Sequence, residues 1–257
     1  MKLRKNKLFL NNFCNFKKLN NLIISFDIDW APEFMIEDLL NLTEKINITI
    51  FNTHKSNILK TIDKNKVTLG IHPNLQKNSS QGNNNLRVKN FVKNVGNMKY
   101  LRFHLLGHSY RDLSFFANKG AKIDSSTLLI NQSYLSPVYH PDIDLVRVPY
   151  IWEDGMTLNF KTNIKKSLDL KSPGLKILDF HPIDIYLNTS NINQRNKFKK
   201  SFSSVLNASK QEADKFINKK NYGIRNFLID ILKLIKTKNI KTSNFDELNY
   251  EFRKNIK

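Results

Sequence analysis

Apolar residues come along this chain in short runs separated by amphipathic stretches, the rhythm of strands alternating with helices. Leu-Ile-Ile-Ser-Phe (22–26) is a compact apolar run closed by charged residues, as a strand buried on both faces reads. Residues 33–46 follow with apolar positions at 35, 36, 39, 40, 42 and 46, an amphipathic helical spacing with Asn47 as a cap. Strands are then expected over 48–54, 67–72 and 100–104, and near 122–124, 146–148 and 176–180. Helices are expected over 55–64, 87–97 and 109–119, the last ended by Gly120, and a polar loop over 73–86. Residues 222–238 form a strongly amphipathic, core-facing helix, whereas 190–220 are polar and read as a surface insertion with helical content. Residues 1–20 show no periodicity and are taken as an irregular lead-in. The alternation predicts right-handed βαβ crossovers and a mostly parallel sheet or barrel. No repeat or linker divides residues 1–257, so one α/β domain is expected.

Composition narrows this picture in three ways. A 40% hydrophobic share supports a packed core. The single cysteine, Cys14, excludes an intrachain disulfide and a cysteine-based zinc site. No apolar stretch suits a signal peptide or a membrane span, so a soluble cytoplasmic protein is expected. The charge is lopsided, 42 Lys+Arg against 22 Asp+Glu for a net +20. Such an excess suits a binder of nucleic acid or another polyanion. The lysines are scattered, however, as in Phe-Lys-Lys (16–18) and Asn-Lys-Lys-Asn (218–221), so the excess is read as composition that at most attracts anionic substrates. No nucleic-acid partner is expected.

Chemistry gathers at the carboxyl ends of the expected strands, which converge on one rim in barrels and parallel sheets. Asp27 and Asp29 follow the first strand, His54 the second, His72 the third, His104 the fourth; Arg147 and His181 end later ones. In an extended chain Asp27 and Asp29 project to one side, and two such close carboxylates need a cation or a shared proton. A metal ligand beside a general base meets that need; solvated loop acids are the alternative. His72, in Gly-Ile-His-Pro-Asn, suits a ligand for zinc or another divalent cation, or else a satisfied core histidine. His104 is the candidate third ligand, with His108 on the surface or in support. Arg-Val-Pro-Tyr-Ile-Trp-Glu-Asp (147–154) sets a fixed cation among Tyr150, Trp152, Glu153 and Asp154, and together with Trp30 these suit sugar recognition. An ordinary hydrophobic turn is the other reading of that segment. His181, in Asp-Phe-His-Pro, is the candidate general acid; as a structural buried histidine it would instead need a partner, and Asp179 could serve.

Together these segments resemble the polysaccharide-deacetylase family, the NodB-homology or carbohydrate-esterase-four group, and most of all its subset found among bacterial surface-polysaccharide genes. Ser-Phe-Asp27-Ile-Asp29-Trp is similar to the family's first motif in its spaced form, Gly-Ile-His72-Pro-Asn to the second, Arg147-Val-Pro149-Tyr150 to the third and Asp-Phe-His181-Pro to the late one. The resemblance covers residues 22–188. It implies a distorted (β/α) barrel of about seven parallel strands and a metal-dependent hydrolase that removes an N-acyl, usually N-acetyl, group from an amino sugar. It implies Asp27 as base, Asp29 and His72 as ligands of a divalent metal such as Zn2+, and His181 as acid. Arg147 would orient Asp27, while Tyr150 and Trp152 shape the sugar pocket. The chain departs from the pattern at Gln76, where the family usually places a second metal histidine. The missing ligand must then come from His104, from His54 or from water. A cytoplasmic site of action would favour a nucleotide-linked or lipid-linked sugar. The alternatives are a C–N hydrolase of non-sugar amides and a non-catalytic basic binding protein on a degenerate barrel.

Overall fold

The computed structural model describes residues 21–254; the expected lead-in over 1–20, with Cys14, lies outside them. The backbone of the fold is a ten-stranded sheet. Its strands are β1 (Asn21–Asp27), β2 (Ile48–Asn52), β3 (Val67–Ile71), β4 (Tyr100–Leu101), β5 (Ile123–Asp124), β6 (Val138–His140), β7 (Leu145–Arg147), β8 (Trp152–Glu153), β9 (Ile177–Phe180) and β10 (Lys241–Ser243). They run in the order β6-β7-β5-β4-β3-β2-β1-β9-β8, and β10 adds to β1. Among the described strands only the β6–β7 pair is antiparallel. The first strand is the hub, with all seven residues buried. One of its edges pairs with β9. The other is shared, Asn21–Ile23 lying against β10 and Ile24–Asp27 against β2.

The sheet curls. Arg102, just past β4, bonds side chains of β1 and β9, which a flat sheet would hold several strand widths away. The path nevertheless ends at β6 and β8 without pairing them, so the molecule is a distorted, open (β/α) barrel. Its core is lined by Leu22, Ile24, Phe26, Ile50 and Phe180 with the covering helices.

Helix Glu33–Thr43 buries Met35, Ile36 and Leu39 and stops at Glu44, earlier than Asn47. Asn84 caps helix Asn85–Val92, and a Ser109/Asp112 capping box starts Tyr110–Ala117. Residues 55–64 form only a short 3-10 turn, Ile58–Lys60, because the Glu33 carboxylate takes the Asn57 and Ile58 amides and the Ser56 hydroxyl. Helix Ile224–Lys238 presents Phe227, Leu228, Ile231 and Ile235 to the core, as its periodicity requires. Residues 190–220 fold as helix Ile192–Lys200, a turn at Val205–Asn207 and helix Lys210–Asp214. They are more than a surface insertion, because Arg195 and Phe198 are buried. The short strands β6, β8 and β10 carry too few alternating residues to stand out in the sequence, while the final helix, Phe245–Lys254, is amphipathic and buries Phe245 and Leu248. That helix bolts across β3 and β4: its Asp246 accepts from Thr68 and Tyr100, while Arg253 pairs with Asp144 beyond β6.

Candidate metal centre and its surroundings

The carboxyl end of β1 sets the first group. The strand stops at Asp27, and Asp29 and Trp30 turn back with φ of 39° and 57°. Asp29 therefore enters the site from a left-handed turn, not by the extended alternation that its spacing suggests. Such backbone in non-glycine residues costs about 1–3 kcal/mol each and tends to persist where the surroundings over-determine it. Here the Ile28 amide is held by the Phe51 carbonyl and the Trp30 amide by the Thr53 hydroxyl.

Three donor atoms meet there. Asp29 Oδ1 lies 3.4 Å from His72 Nε2 and 3.1 Å from His104 Nδ1, and the two imidazole nitrogens are 3.2 Å apart. Zinc bonds of about 2.0–2.1 Å at tetrahedral angles put neighbouring donors about 3.3 Å apart, so the triangle has the dimensions of one face of such a site. The Asp29 Oδ1 atom is buried without a hydrogen-bond partner, an arrangement that is costly unless a cation completes it. Burial acts to raise the Asp29 pKa, but the adjoining His104 and His72 imidazoles and the charge on His181 outweigh it and hold the carboxyl well below its usual range. The donor set, one carboxylate oxygen and two imidazole nitrogens, suits zinc.

His54 stays outside this group, with its Nδ1 2.9 Å from the Thr53 hydroxyl. Gln76 turns toward the chain after His104, its Nε2 packed against Gly107, where a Cβ would come within 2.7 Å. Trp30 stands edge-on to His104, with ring centroids 5.1 Å apart, half-buried at the rim.

Below the triangle lies a residue that sequence reasoning passed over. Arg102 is fully buried and its guanidinium lies between the Phe51 and Tyr150 rings, 4.4 Å from each centroid. Its Nη1 donates to Asp27 Oδ1 at 3.0 Å and also to Asp179; Nη2 donates to the Ser25 and Ser125 hydroxyls, and Nε to the Ser125 carbonyl. Burial pushes the Asp179 pKa well up despite this pairing, and the nearby Asp27 adds to the rise. The signal was a charged residue set inside the otherwise apolar strand Tyr-Leu-Arg-Phe-His (100–104).

That geometry corrects the role expected of Arg147. Arg147 Nε donates to Asp124 at 2.9 Å, and its Nη2 meets Thr127 and His108. It is committed to that cluster, and Arg102 holds Asp27. His108 itself stacks on Phe103 in a supporting position.

The sugar-pocket expectation is corrected as well. Trp152 is buried between Phe180 and Phe227 and donates to Ser167 at 2.7 Å. Tyr150 lies buried on Arg102 and donates to Glu153 at 2.9 Å. Both rings bury more apolar surface under helix Ile224–Lys238 and against Arg102 than a solvent-facing wall would allow. Trp152→Ala is therefore expected to cost about 3–5 kcal/mol of stability, read by urea denaturation, with KM unchanged. A rise in KM with unchanged stability would return Trp152 to the substrate.

Asp154 is likewise no sugar contact. It is fully buried, its Oδ1 lies 2.6 Å from His181 Nδ1, and its Oδ2 accepts the His181 amide at 2.7 Å. Asp154 thus takes the place expected of Asp179. His181 Nε2 then faces the triangle, 3.6 Å from Asp29 Oδ2. Burial acts to lower the His181 pKa, but Asp154, by charge and hydrogen bond, and Asp29 raise it well above the usual imidazole value. Glu153, half-buried beside the site, has its pKa raised by burial.

Two further acid–histidine groupings, Asp27 with Asp179 and His181, and Asp154 with His181 and Asp184, are also tight enough to suggest a cation. Guanidinium groups already neutralise them: Arg102 the first, Arg195 the second. Among the described residues no guanidinium pairs with the Asp29–His72–His104 group, whose nearest cationic neighbour is His181, 3.6 Å from Asp29 Oδ2.

Comparison with known proteins agrees with this architecture. The family model for WbmS-like polysaccharide deacetylases matches residues 24–199. No curated protein sequence matches significantly. Among solved structures, the chain is similar to a Bordetella bronchiseptica protein assigned to the polysaccharide deacetylases and to O-antigen biosynthesis. The identity is 27%, the TM-score 0.73, and the match covers 84% of this chain and 91% of that one. A second structure, the Bc1960 peptidoglycan N-acetylglucosamine deacetylase, aligns at 12% identity and TM-score 0.47 over 94% of this chain and 95% of that one. Among the described residues no helix is long and apolar enough to cross a membrane.

Proposed function

Because the chain belongs to the WbmS-like polysaccharide deacetylase family, we propose that it hydrolyses the N-acyl group, N-acetyl in the simplest case, of an amino sugar during assembly of a bacterial surface polysaccharide. The resemblance to a protein of O-antigen biosynthesis supports that setting. The observation that carries the reading is the donor triangle of Asp29, His72 and His104, which fits a divalent cation, with zinc preferred.

Such a cation, when bound, supplies Lewis acidity for the acyl carbonyl and lowers the pKa of water. The protein's part is proton management. Asp27 is anchored through Oδ1 by Arg102, and its other oxygen lies 3.6 Å from His72 Nε2, facing the triangle. In that position it takes the proton of the attacking water. His181, tethered through Nδ1 to Asp154, presents Nε2 and gives its proton to the departing amine. The C–N bond breaks, water adds to the acyl carbon, and a carboxylate and an amine result. Trp30 at the rim offers an aromatic face beside the site for the sugar. A nucleotide-linked or lipid-linked sugar suits the basic charge of the chain, which favours anionic substrates.

The test is acetate release from a panel of N-acetylated nucleotide and lipid-linked amino sugars and simple amides, with metal analysis of the same protein. Sugar turnover with about one equivalent of metal is expected, abolished by chelation and restored by zinc. The double variant Asp29→Ala/His72→Ala should retain neither metal nor turnover. Hydrolysis confined to non-sugar amides would reassign the substrate, and a chain that binds no metal would remove the hydrolytic scheme.

A further inference from the structure

Behind His181 lies a buried ion-pair chain that the hydrolytic scheme leaves unused. Helix Ile192–Lys200 drives Arg195 inward until its Nη2 pairs with Asp184 and stands 4.0 Å from Asp154 Oδ1. Asp154 and Asp184 are both fully buried, and Arg195 is 8% exposed. Their arrangement brackets His181. Asp154 holds its ring and its amide, while Asp184 lies in the first turn of helix Pro182–Tyr186, which starts at His181. One guanidinium therefore pairs with an acid in the helix that starts at the histidine and stands 4.0 Å from the acid that holds its ring.

The slot for it is built into the backbone. A Cβ on Gly155 would come 3.0 Å from Arg195 Nη1 and 2.7 Å from Glu153 Oε1, so a side chain there would compete with the guanidinium. The Asn191 cap, which accepts the Gln194 amide, sets the start of the helix that delivers Arg195. Other charges facing this group are Glu153 and, past His181, Asp29. Removing Arg195 would leave Asp154 and Asp184 as two buried carboxylates sharing one imidazole, and mutual repulsion would loosen the Asp154 carboxylate from its present orientation.

We propose that Arg195 is a positioning residue, which by bridging Asp184 and Asp154 keeps the His181 imidazole directed with Nε2 toward the donor triangle. The proposal rests on the assignment of His181 as the acid. It makes the segment 190–220 part of the working site, delivering one side chain from outside the barrel.

The test combines a spectroscopic arm, which needs no substrate, with a kinetic one. In the full chain the short His181–Asp154 bond should give a downfield imidazole proton resonance, assigned by its loss in His181→Gln. In Arg195→Met that resonance should shift or broaden away. On the amino sugar that the wild type cleaves, kcat should fall at least about tenfold, with KM held within about twofold and metal content unchanged. Arg195→Lys, which keeps the cation, should recover most of both signals. Should Arg195→Met not fold, Asp184→Asn, which keeps the shape but releases the guanidinium, should perturb the same resonance. A resonance unchanged in whichever of these two variants folds overturns the proposal, as does a loss confined to KM or to metal. If the wild type cleaves no amino sugar, the deacetylase reading fails while the resonance still decides on Arg195.

Discussion

Asp27→Asn should leave the protein folded and carrying its normal complement of metal, yet turn over about 10²–10⁴-fold more slowly. The amide keeps the carboxylate's shape, and its oxygen can still accept from Arg102 Nη1, now 3.0 Å from Asp27 Oδ1. What it cannot do is accept a proton from water. The donor triangle consists of other residues, so the loss belongs in kcat and not in metal content. Parallel measurement of acyl release and bound metal checks this. Wild-type turnover would remove Asp27 from the chemistry, and metal loss would move it into the ligand set.

Arg102→Met should be among the most damaging single changes to the fold, at about 3–5 kcal/mol. A methionine fills much of the slot between Phe51 and Tyr150, so little of the cost is cavity. The cost is electrostatic. Asp27 and Asp179 would face each other without a counter-ion, and Ser25 and the Ser125 carbonyl would each lose a donor. Urea denaturation at neutral pH reads the effect. Arg102→Lys should recover only part of it, because an ammonium cannot span both carboxylates and both serines at once. A stability loss within about 1 kcal/mol for Arg102→Met would show that the network carries little of the fold.

Much of this could be read from the residues alone, for identifiable reasons. The buried strand 22–26 and the core-facing helix 222–238 announce themselves because unbroken burial and a one-sided stripe leave compositional traces. Asp29, His72 and His104 were legible as a group because parallel strands deliver their carboxyl ends to one rim. Position in a pattern did not reveal who pairs with whom. Arg147 ends one short strand and Arg102 follows another, and only the curl of the sheet decides that Arg102 reaches Asp27. The same limit applies to His181, whose partner is Asp154 at the end of β8 and not Asp179 two residues away. Trp152 and Tyr150 misled because aromatic side chains beside acids serve equally for packing and for recognition, and here burial takes them.

The divided edge of β1 has a consequence for how the molecule comes into being. Asn21 bonds Ser243 across 222 residues, so β1 cannot complete its pairing until that distant segment has been made and brought back to it. Until then a hydrophobic strand edge on the nascent chain stays unprotected, and closing so long a loop is slow. Return of β10 to β1, more than local structure formed early, should therefore set the moment at which this sheet closes.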